Sequence, residues 1–366
     1  MIGERELCGV TLPFAAGVLC ASILSTLPYH IINAILLPCE AICAACLHIC
    51  SNRIRDRNLL WIWIPVLTFV TGFFCFCNAS IIQSTSIDKE GLIISLATGL
   101  CDGVQRIIDT IPFKTEEAPA MVRALVTGDK RMIPNDIKEA FRASGASHIL
   151  ALSGMHLGIV YVIVLKALAA AGNTRGAIVV RSVSAVMICG IYTLATGAGE
   201  SIVRAFLFIL LNEVAKLSHR RHDLKQILLA AMIIQLTISP LSIRSIGFLL
   251  SYAAMAGIAF INPWLQSFWP QGESRRNLPH KIWKTASVSI SCQLTTGPLA
   301  WYYFKSFPTN FLLTNLIAIP LVGLIIPVSI LTIILQGFGI CPALLVTVAE
   351  GLITLLTSSL KTIAEI

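Results

Sequence analysis

The chain has 366 residues, 56% of them hydrophobic and only 13% charged, with a formal net charge of +8. Soluble domains carry about 25% charged residues, so this composition excludes a water-soluble protein. Apolar runs of roughly 20 residues, long enough to cross a bilayer as helices, recur without the short alternating segments of a membrane barrel.

The expected fold is all-α: a polytopic membrane helical bundle of roughly 9–12 spans, some short or broken by proline. Candidate spans are 8–27, 31–50, 59–82, 148–171, 177–196, 202–217, 226–240, 245–262, 285–303, 309–323, 324–339 and 342–360. No inverted or parallel repeat relates them, so the matched halves of many transporters are missing. The first run opens with Glu4-Arg5-Glu6 and no small-residue cleavage site follows it, so no cleavable signal peptide is expected.

Basic loops set an expected orientation. Arg53, Arg55 and Arg57, then Lys216, Arg220, Arg221 and Lys225, then Arg275, Arg276, Lys281 and Lys284 share one side if each span crosses once. The positive-inside rule makes that side, and the N-terminus, cytoplasmic. Most of the 12 cysteines lie in apolar runs, where a thiol acts as a small hydrophobe. Cys39, Cys43, Cys46 and Cys50 form one helical stripe, but a straight helix cannot wrap four such side chains around one ion. No metal and no cofactor are expected.

The connection 83–147 is then expected on the outer side, in the periplasm or its equivalent. Residues 88–117 mix acidic and basic groups, and 92–111 has the pattern of an amphipathic helix lying on the membrane surface. Next comes "MVRALVTGDKRMIPNDIKEAFR", 121–142, where Arg123, Lys130, Arg131, Lys138 and Arg142 face Asp129, Asp136 and Glu139. Two readings stand. One is a pair of short helices hinged at Thr127-Gly128-Asp129 and packed on the bundle. The other is a basic vestibule that gathers an anionic solute.

"FRASGASHILALSGMHLGIV", 141–160, opens like a surface helix and closes like a span. Gly145 and Gly154 permit a bent, closely approached helix start, while His148, Ser153 and His156 offer polar atoms to a constriction. The bland alternative is two satisfied histidines in a packed interior. Ionisable groups at membrane depth cost at least ~2.5 kcal/mol each, and they usually face a cavity or one another.

Further along, "TGAGESIVRAF", 196–206, breaks at Gly197 and Gly199 and puts Glu200 four residues before Arg204. That is the favourable order for a helical ion pair. Alternatively Glu200 steadies Arg204 while its planar fork meets phosphate. Arg244 heads "LSIRSIGFLLSYAAMAGI", 241–258, where small residues recur at packing distance. "TTGPLAWYYF", 295–304, sets Gly297-Pro298 before Trp301, Tyr302, Tyr303 and Phe304, an interfacial belt or a platform for stacking bases. Asn315 opens "NLIAIP", 315–320, within a stretch carrying three prolines.

"GDKRMIPNDIKEAFRASGASHILALSGMHLGIV", 128–160, resembles the defining motif of the ComEC family of competence proteins, inner-membrane channels for transforming DNA. Gly128, Asp129, Ala140, Phe141, Arg142, Gly145, His148, Ser153, Gly154 and His156 occupy matching places. Three later blocks, 201–205, 240–251 and 315–320, are similar as well, and "LPFAAGVLCASIL" resembles the family's first span.

The resemblance implies a channel conducting single-stranded DNA across the bacterial cytoplasmic membrane. On the chemistry of the residues, phosphate contact is expected of Arg142, Arg204 and Arg244, and a constriction at His148, Ser153, Gly154 and His156. Backbone shape would fall to Gly128, Asp129, Gly145, Gly199 and Glu200. Full-length relatives carry an exported OB-fold domain before the motif, which 83–120 is too short to hold, and many carry a metallo-β-lactamase-like domain after the last span. The organisation expected is therefore 1–82 as a three-span segment, 83–120 as an exported loop with an interfacial helix, and 121–366 as a competence-type channel core.

A separate DNA receptor, a nuclease and a cytoplasmic motor or single-strand-binding protein would complete the machinery, with lipid around the chain and a homo-oligomer allowed. No Walker motif is present, and no triad can be assembled around Ser153, so no enzymatic activity is expected. Rival readings are a permease for another anionic solute or a lipid, and a non-conducting scaffold or remnant of the uptake machinery.

Overall fold

The computed structural model describes residues 4–24, 38, 45, 57–85, 92–172, 174–218, 223–269, 278–305 and 310–365. All of the expected span 31–50 but residues 38 and 45, its cysteine stripe included, and Arg53, Arg55, Arg220, Arg221, Arg275 and Arg276, lie outside the described residues. Among the described residues there are helices and no strand. Five helical stretches are long and apolar enough to cross a membrane: Arg5–Ile23, Arg175–Ala195, Ile246–Gln266, Phe311–Gly337 and Ala343–Ala364. Shorter apolar helices cover Ile64–Ser80, Gly154–Ala167 and Leu224–Ile238.

The chain forms two compact units, Met1–Lys89 with Val214–Met255, and Glu90–Glu213 with Ala256–Ile366. In the first, α1 (Glu4–Ile23) packs on α2 (Arg57–Thr85). Glycines make that approach feasible: a Cβ on Gly17 would stand 2.0 Å from the Phe69 carbonyl oxygen, and one on Gly72 would stand 2.2 Å from that of Phe14. Without a hydrophobic driving force between helices in lipid, such close backbone contact is a main source of association. Buried Phe14, Val18, Phe73 and Phe76 fill this interface. α10 (Leu224–Ile238) joins it, a 3₁₀ turn Pro240–Arg244 follows, and α11 (Ile246–Ala256) returns, with Tyr252 donating to Gln235 at 3.0 Å.

In the second unit, α3 (Leu92–Thr110) is the expected amphipathic helix: Ile108 is buried, while Leu96 and Leu100 are exposed. It leads into α4 (Glu117–Thr127), α5 (Asn135–Ala143) and the single-turn α6 (Ser147–Leu150). These short helices do not float above the bundle. Met121, Leu125, Ile137 and Phe141 are fully buried with Ile325, Ile326, Leu356 and Leu360 of α14 (Phe311–Gly337) and α15 (Ala343–Ala364). The packed reading of 121–142 is therefore the one the geometry realises. Midway along α15, the Glu350 carboxylate accepts from the backbone N–H groups of Lys114 and Thr115, tying the loop before α4 to the bundle.

α7 (Gly154–Ala167), α8 (Arg175–Ala195), α9 (Glu200–Leu217) and α13 (Leu278–Phe304) complete this unit. A π-helical turn, Gly257–Ile261, leads into α12 (Asn262–Gln266). Gly257 within that turn lets the backbone approach Ser291, whose carbonyl oxygen would be 2.3 Å from an added Cβ. One expectation needs correction: 309–323 and 324–339 are a single helix, α14, with Pro320 and Pro327 inside it. Each proline removes one backbone bond, whereas breaking the helix in hydrocarbon would expose several more unsatisfied groups. Seven residues apart, the two prolines fall on nearly the same face of the helix.

Candidate functional site at the Ser153–Gly154 junction

The motif region is a chain of helix ends. α4 stops at Gly128, whose φ of 81° is left-handed and whose N–H returns to the Ala124 carbonyl at 3.1 Å. The left-handed backbone demands glycine there, and an added Cβ, 2.3 Å from Leu152 Cδ1, would also push that side chain aside. α5 ends the same way at Gly145, φ 80°, where the Ala146 N–H reaches the Phe141 carbonyl at 2.7 Å. The Ser144 carbonyl just before it accepts from Thr314 Oγ1 at 2.7 Å, which fixes this turn to α14.

Ser153 caps α7. Its side chain accepts from the His156 backbone N–H while the His156 ring accepts from the Ser153 N–H, a reciprocal capping box with histidine in the glutamate position. Ser153 Oγ lies 3.0 Å from the same Nδ1. With Nδ1 accepting, the neutral ring carries its proton on Nε2. His156 is only 1% exposed, and Nε2 is buried with no hydrogen-bond partner among the described residues. His148 and Lys130 are near enough to act on this ring electrostatically. His148 itself is exposed on α6, with Nδ1 3.2 Å from the Gly145 carbonyl oxygen.

Gly154 is where α7 meets α9. An added Cβ would stand 3.3 Å from Arg204 Nη2 and 3.3 Å from Ala205 Cβ. The Arg204 guanidinium therefore lies directly against the start of α7, and the residue is 6% exposed. It also acts electrostatically on Cys292 of α13. The turn before α9 holds Gly197 at φ 83° and Ala198 at φ 48°, then Gly199, whose carbonyl accepts the Ile202 and Val203 N–H groups. Glu200 is the first residue of α9. The junction thus brings together Ser153, Gly154, His156 and Arg204, with His148 and Lys130 nearby.

Other expected residues stand apart from it. Arg142 is exposed on α5, 3.7 Å from Glu139. Arg244 belongs to the first unit. There Nε and Nη2 donate to the Ser22 hydroxyl and carbonyl at 3.3 and 3.1 Å, and the guanidinium lies 4.8 Å from the Phe76 ring centroid. The carbonyl belongs to the last turn of α1, so Arg244 braces that helix end.

The basic stretch is largely paired. Arg123 bonds Asp109, Arg131 forks onto Asp129 at 2.9 and 2.8 Å, and Lys361 of α15 reaches Asp136 at 2.9 Å and Glu117 at 3.9 Å. The Arg131 bonds push the Asp129 carboxyl down to about 2 against the opposing effect of burial. The Lys361 bond likewise lowers that of Asp136.

Sequence reasoning missed Lys361, Glu350 and Cys292. It also missed Tyr192, whose hydroxyl donates to the Val126 carbonyl at 2.8 Å and fixes the end of α4 to α8. Only their polarity within apolar helices marked them, and their partners are too distant in sequence to name.

A helical membrane bundle with short capped helices wedged into it is the class this geometry defines. Residues 125–366 match the family described as Competence protein. The chain belongs to that family. It is 24% identical over 204 residues to ComE operon protein 3 of Bacillus subtilis, covering 56% of this chain and 25% of that protein. It is 26% identical over 219 residues to the uncharacterized protein YcaI of Escherichia coli, covering 56% of this chain and 28% of the other. The matched region is thus about a quarter of the length of these relatives. No solved structure matches the chain.

Proposed function

We propose that this chain is a permease of the bacterial cytoplasmic membrane that conducts single-stranded DNA inward during natural transformation, its N-terminus cytoplasmic. Family membership supplies the context, and His156 is the observation that carries the reading at the site. A buried ring donor with no acceptor among the described residues, two residues along α7 from the glycine that the buried Arg204 guanidinium lies against, gives the junction groups fit to meet an acceptor-rich polyanion. The work is non-covalent: donors hold phosphate oxygens in passing, and several weak contacts serve passage better than one tight site. Arg142 and Arg244 would add phosphate contacts outside the junction. Direction must come from a motor or single-strand-binding protein in the cytoplasm, with receptor and nuclease as further partners. Homo-oligomer formation is compatible with this role.

Deletion of the gene, followed by scoring labelled DNA in a nuclease-protected compartment, tests the proposal. Uptake is expected to fall at least ~10-fold. It should fall as far with Arg204→Gln or His156→Leu at normal protein levels, with partial return in Arg204→Lys. Undiminished uptake in the deletion strain refutes the reading. A non-conducting scaffold is favoured by one observation, the internal pairing of Arg123, Arg131 and Lys361. In that case the single substitutions leave uptake intact while deletion abolishes it.

A further inference from the structure

α13 carries a recess on its outer face. Gly297 has no side chain, and Pro298 one residue later lacks the N–H that would bond the Leu294 carbonyl, so the helix is thinned and loosened at one level. The result is an open crevice of about 610 Å³ lined by Leu294, Gly297, Pro298 and Trp301, Ile290 one turn below, and Phe311 of α14. Gln293 is the single polar lining residue. A crevice of this size and apolarity suits the hydrocarbon portion of a ligand.

Its upper end is specific. Trp301, Tyr302, Tyr303 and Phe304 are all more than 40% exposed, as residues at the headgroup level of a bilayer are. Lys305 follows with a φ of 54°, a left-handed backbone that a non-glycine residue adopts at a cost. Its N–H still closes onto the Trp301 carbonyl at 3.0 Å, and its ammonium comes to lie 5.2 Å from the Tyr302 ring centroid. Strain that persists at a helix end and aims a cation is a pointer to binding. Here the cation sits beside the aromatic rim, one turn beyond the recess.

From this juxtaposition we propose that the α13–α14 crevice is a binding site for one anionic glycerophospholipid. An acyl chain fills the recess at Gly297-Pro298, and the phosphate lies at Lys305. Charge complementarity selects the headgroup, because a zwitterionic lipid offers its phosphate together with a competing cation. The site is independent of DNA conduction and does not use the Ser153–Gly154 junction.

Native mass spectrometry of the full chain, released from nanodiscs of phosphatidylglycerol or of phosphatidylcholine, tests the site. One phosphatidylglycerol is expected to remain bound, and phosphatidylcholine to be retained at least ~10-fold less. Leu294→Trp, which crowds the recess from an exposed position, should reduce retention of both. Lys305→Asn, which keeps a residue tolerant of the left-handed backbone, should abolish the preference while leaving retention of some lipid. Equal retention of the two lipids, retention indifferent to both substitutions, or displacement of the lipid by a short oligothymidylate overturns the proposal. So does a dimer that Leu294→Trp dissolves, because a second copy then occupies the crevice.

Discussion

Gly128 and Gly199 are both motif glycines, yet they are held to glycine by different amounts. Gly128 has a left-handed φ and a Leu152 methyl where its Cβ would go, whereas nothing lies within 4 Å of a Cβ at Gly199. Gly128→Ala should destabilise by about 2 kcal/mol, mostly the left-handed penalty with a smaller cost for moving the Leu152 side chain. Gly199→Ala, at a position where glycine outranks alanine only as a helix cap, should cost about 1 kcal/mol or less. Thermal unfolding in detergent distinguishes them, and equal losses would deny that the α4 end needs its turn. Asp129, the next residue, ties that turn to Arg131. Because its pKa falls on folding from ~3.9 to about 2, the folded chain binds fewer protons between those values. The contribution is complete above pH ~4 and disappears as pH falls toward 2. Asp129→Asn should therefore cost about 1 kcal/mol at pH 7, given that Arg131 is largely exposed, and the gap from wild type should narrow between pH 4 and 2. A gap equal at pH 7 and 2.5 would exclude the fork as its source.

At the level of helices, the strictest contacts are glycine on backbone. Gly17 on Phe69, Gly72 on Phe14 and Gly257 on Ser291 each place a carbonyl oxygen where a Cβ would be, within 2.3 Å or less. A carbonyl in a helix cannot rotate away as a side chain can. Alanine at any of the three should cost about 3 kcal/mol and separate the helix pair, seen as new protease sensitivity in α1, α2 or α13. Retained resistance in all three would show that the pairs tolerate a wider spacing. These sites also mark what was legible beforehand. Apolar length picked out the helices long enough to cross a membrane, the period of 92–111 identified α3, and the small-residue spacing of 241–258 hinted at close packing at Gly257, whereas nothing singled out Gly17 or Gly72. The single helix α14 was not legible, because prolines at 320 and 327 act as stops in water and as tolerated kinks in hydrocarbon.

Across the whole molecule, the motif was easier to find than its arrangement. Gly128, Gly145 and Gly154 stood out in the sequence because glycine inside an apolar run has a backbone reason. That Gly154 rests on Arg204 could not be seen, since some 50 residues and the whole of α8 intervene. The basic stretch 121–142 was visible in sequence but its pairing was not: Asp109, which takes Arg123, lies on α3, and Lys361, which takes Glu117 and Asp136, lies on α15, so both pairings are set only by the fold. The proposed function sends the strand past the Ser153–His156–Arg204 junction. Its most direct test is crosslinking during uptake. A single strand bearing photoreactive phosphorothioate groups, stalled partway, should couple to α7 and α9 near His156 and Arg204, and an excess of unlabelled strand should suppress the coupling. Coupling confined to the exposed faces around Arg142 and Lys130, with none at the junction, would contradict a path through it.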